Sequence, residues 1–255
     1  MTRSIALAAV ALGAALPLQA QQREEWTWER ALGRGKQLRI ENVSGAIRAR
    51  PASAGDEVRV VATKTARRSD PSEVEIRVEE DADGATICVV YPGTRREGCG
   101  RSRGGQKDND VAVDFDVTVP AGLSLELGTV NGSVAATGLT GPVKASSVNG
   151  DVLLETKGLA EGSTVNGNLA VTLGAANWDG RLEYSTVNGT LSVTLPAGSD
   201  VEVDASTVNG RLESAFPITV QGKWGPKQMR GVIGKGGRRL SLSTVNGNIL
   251  LARGG

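Results

Sequence analysis

The sequence predicts an all-β protein built from repeats, and three observations support this prediction. The tetrapeptide Thr/Ser-Val-Asn-Gly recurs six times between residues 129 and 247. Apolar and polar residues alternate on both sides of the copies, which is the period of a β-strand. Glycine is abundant, at 34 of 255 residues, and no helical period competes after the first 20 residues. The chain therefore reads as strand, Asn-Gly corner and strand, repeated.

Each corner is an asparagine followed by a glycine, and successive asparagines lie 18, 17, 22, 21 and 37 residues apart. The last interval is nearly double the others, which indicates either an unmarked repeat or a long insertion. A degenerate forerunner stands at Asn42-Val43-Ser44-Gly45. The six corners are Asn131-Gly132, Asn149-Gly150, Asn166-Gly167, Asn188-Gly189, Asn209-Gly210 and Asn246-Gly247.

Two architectures fit this pattern. In an antiparallel meander, each Asn-Gly pair is a type I′ hairpin turn. In a β-solenoid, each pair is a corner within one coil, and identical residues stack on the next coil. The valine two positions before each glycine favours the solenoid, because a hairpin would leave it on the face opposite the other apolar residues. We therefore expect six corner valines in the core: Val130, Val148, Val165, Val187, Val208 and Val245.

The first 20 residues resemble a secretory signal. Arg3 precedes an apolar stretch from Ile5 to Leu18, and Leu18-Gln19-Ala20 forms a small-residue cleavage site. The stretch is too short to remain as a membrane span. We therefore expect an exported protein that is periplasmic, outer-membrane-associated or secreted, with no integral membrane segment after cleavage. The expected organisation is a signal peptide at 1–20, a lead segment at 21–37 and one β-repeat domain at 38–255, divided into a motif-free part (38–122) and the repeats (123–255).

Composition argues against most catalytic chemistry. The chain has no histidine, which is the commonest general base and metal ligand. It also lacks a Gly-x-Ser-x-Gly elbow, and the glycine-rich segment 231–237 lacks the ending of a phosphate-binding loop. Loss of Arg3 takes the formal charge from +1 to 0, so nothing attracts nucleic acid in general. We expect no catalytic, cofactor-binding or metal-binding residues and no nucleic-acid partner.

The two cysteines, Cys88 and Cys99, suit an oxidising compartment and are predicted to form a disulfide, with two free thiols as the alternative. The corner asparagines could form a ladder of stacked amides. We favour the simpler interpretation that asparagine and glycine accept the left-handed conformation of a corner.

An acidic group surrounds one strand, and two of its members, Asp114 and Asp116, share a face roughly 7 Å apart. That spacing suits a cation or the carboxylate pair of an inverting glycosidase. The apolar opposite face of the strand instead favours a solvated edge. The full group is Asp108, Asp110, Asp114 and Asp116.

Two basic stretches complete the candidates. The first contains Arg95, Arg96, Arg101, Arg103 and Lys107. The second is a candidate binding loop with enough glycine to stay mobile, because basic residues beside an exposed aromatic ring can bind anionic glycans or nucleic acid. We favour the simpler interpretation of a solvated loop with one buried tryptophan as its anchor. This second stretch contains Lys223, Trp224, Lys227, Arg230, Lys235, Arg238 and Arg239.

The segment from Leu38 to Ile47, the strand ending Val117-Thr118-Val119-Pro120-Ala121-Gly122 and the serial corners resemble the bacterial putative-adhesin family of β-strand-repeat domains. The resemblance implies an exported, right-handed β-helix-like fold. We expect a non-enzymatic, adhesin-like scaffold of the cell envelope that presents loops to an envelope protein or an anionic glycan. The alternative is a polysaccharide-acting enzyme on a β-helix. An acidic cluster in a groove with converging basic residues would favour the enzyme.

Overall fold

The structure is a computed structural model that describes residues 22–94, 98–99, 108–176, 178–221 and 226–254. In these residues 21 strands and one 3₁₀ turn, Pro71–Glu73, form two large mixed sheets. The prediction of an all-β protein is confirmed. The expected signal peptide, residues 1–20, lies outside the described residues.

Seven strands precede the repeats. They are β1 (Gln22–Ala31), β2 (Gln37–Glu41), β3 (Ile47–Pro51), β4 (Glu57–Ala66), β5 (Glu75–Glu80), β6 (Gly84–Val90) and β7 (Ala112–Val119). Antiparallel pairs join β1 to β4, β4 to β7 and β5 to β6. The lead segment thus contributes β1, which lies at the edge of one sheet, and the start of β2.

Fourteen strands follow. They are β8 (Ser124–Asn131), β9 (Val134–Leu139), β10 (Val143–Asn149), β11 (Val152–Thr156), β12 (Ala160–Asn166), β13 (Leu169–Leu173), β14 (Arg181–Asn188), β15 (Leu191–Leu195), β16 (Val201–Asn209), β17 (Leu212–Ser214), β18 (Thr219–Gln221), β19 (Lys227–Ile233), β20 (Arg238–Asn246) and β21 (Ile249–Arg253). Sheet A has the order β1-β4-β7-β3-β9-β11-β13-β15-β21-β17, and sheet B has the order β18-β19-β16-β20-β14-β12-β10-β8-β2-β6-β5.

A strand of sheet B, an Asn-Gly corner and a strand of sheet A make one repeat unit. Like strands of neighbouring units pair in parallel and in register, so that Asn149 lies beside both Asn131 and Asn166. Inward side chains of both sheets form one hydrophobic core that includes Leu127, Leu154 and Tyr184. The repeat motif therefore sets the register of the sheets.

The expectation of buried corner valines is wrong. All six are 38–42% exposed. Strand β8 continues to Asn131, so alternation of sides persists through the motif: Leu127 and Thr129 point inward, and Val130 lies between them and the corner on the outer face. The valines form a row along sheet B, where β-branched side chains of paired strands stabilise one another.

The buried position of each motif belongs to its threonine or serine. The hydroxyl donates to the carbonyl oxygen of the motif glycine in the neighbouring unit, as from Thr164 to Gly150 at 2.8 Å and from Thr186 to Gly167 at 3.0 Å. A methyl group on the motif glycine would overlap the glycine carbonyl of the neighbouring unit at all six corners. Glycine is therefore required because two backbones meet closely.

The asparagines form the amide ladder that the sequence analysis set aside. In the stacking order 131, 149, 166, 188, 246 and 209, the Nδ2 of each asparagine after the first donates to the Oδ1 of the asparagine before it at 2.7–2.8 Å. Among the described residues, the only non-glycine residue with positive φ is Asp108. The left-handed interpretation of the asparagines is therefore wrong, and inter-unit hydrogen bonding explains the residue type.

The 37-residue interval before the last corner holds an insertion. Strands β18 and β19 form an antiparallel hairpin against β16 at the end of sheet B. Strand β20 then lies between β14 and β16, and β21 lies between β15 and β17. The last repeat unit in the sequence is thus the second-last in space.

Candidate functional site

The second basic stretch is largely strand rather than loop. Lys227 and Arg230 lie in β19, and Arg238 and Arg239 lie in β20. The buried side chains of Met229 and Ile233 alternate with exposed ones, which holds β19 antiparallel against β16. The predicted mobile loop is wrong for these positions. Lys235 lies in the exposed turn between the strands, and Lys223 and Trp224 lie outside the described residues.

An open cleft of about 470 Å³ on the outer face of sheet B brings two of these residues together with others. Its charged lining consists of Arg181, Arg230, Arg239, Glu202 and Asp204. Arg239 is the register partner of Arg181 on one side and of Glu202 on the other. Two guanidinium groups on adjacent strands are a repulsive pair unless an anion lies close to them. The lining of this arginine cleft has three arginines and two carboxylates, and a third carboxylate, that of Glu183, lies 3.9 Å from Arg181 Nε.

Ion pairs organise the arginine cleft. Arg230 Nε lies 3.2 Å from Asp204, its partner across the antiparallel pair, and Arg239 Nε lies 3.7 Å from Glu202. Arg181 donates to Ser241 Oγ at 2.7 Å. Both acids and all three arginines remain substantially exposed, so each pair contributes little to stability. These side chains are positioned on strands and open to a ligand.

Two other predicted basic residues have different surroundings. Lys227 Nζ donates at 2.7 Å to the carbonyl oxygen of Gly210. That carbonyl ends the column of motif glycines, so Lys227 does there what the threonine hydroxyl does in the other units. Arg238 lines a smaller cleft of about 240 Å³ beside residues 174–176 and 196–200, and its Nε is buried without a hydrogen-bond partner among the described residues.

The cysteines and acids lie elsewhere. Cys88 and Cys99 form a disulfide with Cα atoms 5.5 Å apart, and together with Val90 they make a small cluster separate from the main core. Asp110 accepts hydrogen bonds from the backbone N–H groups of residues 67–69, led by Ser69, and they lower the pKa of its carboxyl to about 2.

Asp114 accepts a hydrogen bond from the backbone N–H of Ala46 at 2.7 Å. Within the described part of the chain, no group of three or more acids or cysteines could hold a metal ion. The first basic stretch falls on residues 95–97 and 101–107, outside the described residues.

Sequence reasoning missed Arg181, Glu202 and Asp204. A signal for them exists: Arg181, Glu202 and Arg239 each stand eight positions before the glycine of their own motif. When units stack in register, residues at the same distance from their motif glycines lie side by side on neighbouring strands. Counting back from each glycine would have revealed a row of charge across three strands.

The fold and the site define an all-β protein of two large mixed sheets with a charged cleft on one outer face. No helix in the described ranges is long and apolar enough to cross a membrane. No protein-family model matches the chain, and no curated protein matches it.

Several solved structures are similar to the chain. Three of them are a putative cell adhesion protein from Clostridium sporogenes (13% identity, 91% of this chain and 100% of that chain covered, TM-score 0.46), a putative adhesin from Bacteroides fragilis (13%, 90% and 97%, 0.34) and a putative adhesin from Parabacteroides distasonis (9%, 91% and 97%, 0.24).

Proposed function

We propose that the protein is a non-enzymatic, exported interaction module of the cell envelope whose arginine cleft binds an anionic glycan. The observation that carries the proposal is the register pairing of Arg181 with Arg239, with Arg230 lining the same cleft. Arginine presents a planar set of donors that matches a carboxylate or sulfate group. An open cleft on a rigid sheet suits one segment of a long polymer.

Binding to polygalacturonate, with dextran as the uncharged comparison, tests the proposal. The protein should bind polygalacturonate and ignore dextran in isothermal titration calorimetry. Binding should weaken as salt rises, because the attraction is between exposed charges. The double substitution Arg181→Ala with Arg239→Ala should reduce the affinity at least about tenfold, the equivalent of 1.4 kcal/mol.

Arg48 and Arg50 supply the matched control. Both are exposed on a single strand of sheet A, so replacing both by alanine removes the same charge from the opposite face. That control should bind as the unaltered protein does. Equal loss in the two double variants would mean that overall charge, rather than the arginine cleft, attracts the polymer.

A polysaccharide-acting enzyme is the second candidate, and one observation favours it. Glu202 and Asp204 line the cleft beside converging arginines, on one face of a strand and about 7 Å apart. That spacing is within the range of an inverting carboxylate pair. However, both carboxylates are exposed and ion-paired, which suits ligand binding better than proton donation. If the protein released reducing ends from polygalacturonate and the substitution Glu202→Gln abolished that release, the function would be hydrolysis of the glycan rather than binding alone.

We further infer that the repeat units are coils of a β-solenoid, which the parallel pairing of equivalent strands and the asparagine ladder support. Export to an oxidising compartment accords with the Cys88–Cys99 disulfide. Sequencing of the protein from an envelope fraction should then begin near Gln21, and an intact Met1 would contradict export.

A further inference from the structure

The unit formed by β20 and β21, here called the inserted unit, lies between two units that precede it in the chain. The unit of β14 and β15 is on one side, and that of β16 and β17 is on the other. Everywhere else in the repeats, units that are adjacent in the sequence are adjacent in space. The chain must therefore hold a slot open between the two earlier units or separate them to admit the inserted unit.

The contacts of the inserted unit lie between units rather than along its own chain. Asn246 donates to Asn188 at 2.8 Å and accepts from Asn209 at 2.8 Å. The Thr207 hydroxyl donates to Gly247 O at 2.9 Å, and that of Thr244 donates to Gly189 O at 3.3 Å. None of these contacts requires that the inserted unit belong to the same chain as its neighbours.

A short glycine-rich hinge tethers the inserted unit. Residues 234–237 connect β19 to β20, which lie on opposite sides of β16, so the hinge steps over two strand spacings, about 10 Å. Gly234, Gly236 and Gly237 have φ values of 60°, 73° and 100°. The hinge is held by Lys235 N donating to Asp200 Oδ1 at 2.7 Å and by one turn hydrogen bond from Gly236 to Ile233. Opening it breaks few bonds.

The slot is matched to this chain's own inserted unit. In addition to the motif contacts, Arg239 pairs with Glu202, and its carbonyl oxygen accepts a hydrogen bond from the buried indole of Trp178 at 3.2 Å. A strand pair from an unrelated protein would lack these side chains. The occupant that reproduces every contact is the same segment of a second copy.

We propose that the inserted unit exchanges between two copies of the chain, so that each copy fills the slot of the other in a strand-exchanged dimer. Exchange keeps the native contacts and changes only the hinge, which is the condition for domain swapping. The dimer fraction should increase with protein concentration during folding, because a second chain then reaches the slot before the tethered unit does.

A thiol pair across the slot tests the exchange in the full chain. Ser185 and Ser243 are register partners on β14 and β20, and Ser146 and Ser163 are register partners on β10 and β12. The double variants Ser185→Cys with Ser243→Cys and Ser146→Cys with Ser163→Cys are refolded under oxidising conditions at increasing concentration, then separated by non-reducing electrophoresis. We expect a covalent dimer in the first variant, increasing with concentration, and none in the second. Only monomer in both, or equal dimer in both, would overturn the proposal.

Deletion of residues 235–237 provides a second measurement that needs no added thiol. The single residue left between β19 and β20 spans at most about 7 Å, which is too short to step over β16, whereas the inserted unit can still reach the slot of a second copy. Light scattering on the purified variant should show a dimer at concentrations at which the unaltered protein is mostly monomeric. A folded monomer, with β structure retained in circular dichroism, would overturn the exchange.

Discussion

Replacing the glycine of one corner by alanine tests how neighbouring units meet. A methyl group at Gly167 would overlap the carbonyl carbon and oxygen of Gly150 in the adjacent unit. The φ of Gly167 is not positive, so alanine can adopt its conformation and only the close approach opposes the change. The same oxygen accepts the hydroxyl of Thr164 at 2.8 Å, so a shift that relieves the overlap also weakens that hydrogen bond.

The expected cost is the sum of these two effects. Forcing an extra methyl group into a packed site costs roughly 1–3 kcal/mol. Weakening one hydrogen bond adds up to about 1 kcal/mol. We therefore expect Gly167→Ala to lower the free energy of unfolding by about 3 kcal/mol. In a chain of this size that is a decrease in Tm of roughly 6–12 °C. Urea unfolding followed by circular dichroism measures the free energy.

Gly128 supplies the control because it lies in β8, on the outer face, with space around it. The nearest atoms to a methyl group there would be Ser146 Oγ at 3.6 Å and Ile40 O at 4.0 Å, which are ordinary contacts. Gly128→Ala should leave stability unchanged or raise it by up to about 1 kcal/mol, because glycine weakens a strand. If Gly167→Ala proved as harmless as Gly128→Ala, the close approach of the backbones would not be the reason for glycine at the corners.

Three further outcomes follow from the same contacts. Asn166 both donates and accepts in the ladder, whereas Asn131 only accepts, so Asn166→Ala should cost about 1–2 kcal/mol and Asn131→Ala about half as much in urea unfolding; equal costs would argue against the ladder. Val187→Asp should cost about 1 kcal/mol or less because Val187 is 39% exposed, and a loss of several kcal/mol would restore the buried assignment. The pKa of Asp110 is about 2 in the folded protein, below its unfolded value of about 3.9. Its stabilisation is therefore present above pH 4 and lost as the pH falls toward about 2, so Asp110→Asn should flatten the acid dependence of the urea midpoint over that window.

The class of fold and the position of every corner could be predicted from the sequence. Period-two alternation around each Asn-Gly pair is a local property, and it places Leu127 and Leu154 inside without knowledge of their partners. The valine rows could not be assigned in the same way. Whether the strand ends before or after Val130 decides its face, and that depends on the hydrogen bonds of the neighbouring unit.

The candidate site shows the same division. Arg230 and Arg239 were identified because they lie in a basic stretch, while Arg181 and Glu202 are isolated charges in their own segments. They form a site only because residues at the same distance from their motif glycines lie side by side when the units stack in register. The composition of the basic stretch therefore indicated that the site would be cationic, but it did not show which residues would form it.

The sequence by itself determined the repeat unit, the position of each corner and the register within any stacked pair, because these depend on short-range alternation and on residues that are alike in every unit. Only the tertiary structure decided which unit stacks on which. The threonine-to-glycine and asparagine-to-asparagine contacts would form equally well between any two units. These contacts therefore do not favour one stacking order of the units over another. The hairpin of β18 and β19 occupies the far edge of β16, and this leaves the inserted unit only the side toward β14. That choice places Arg239 between Arg181 and Glu202.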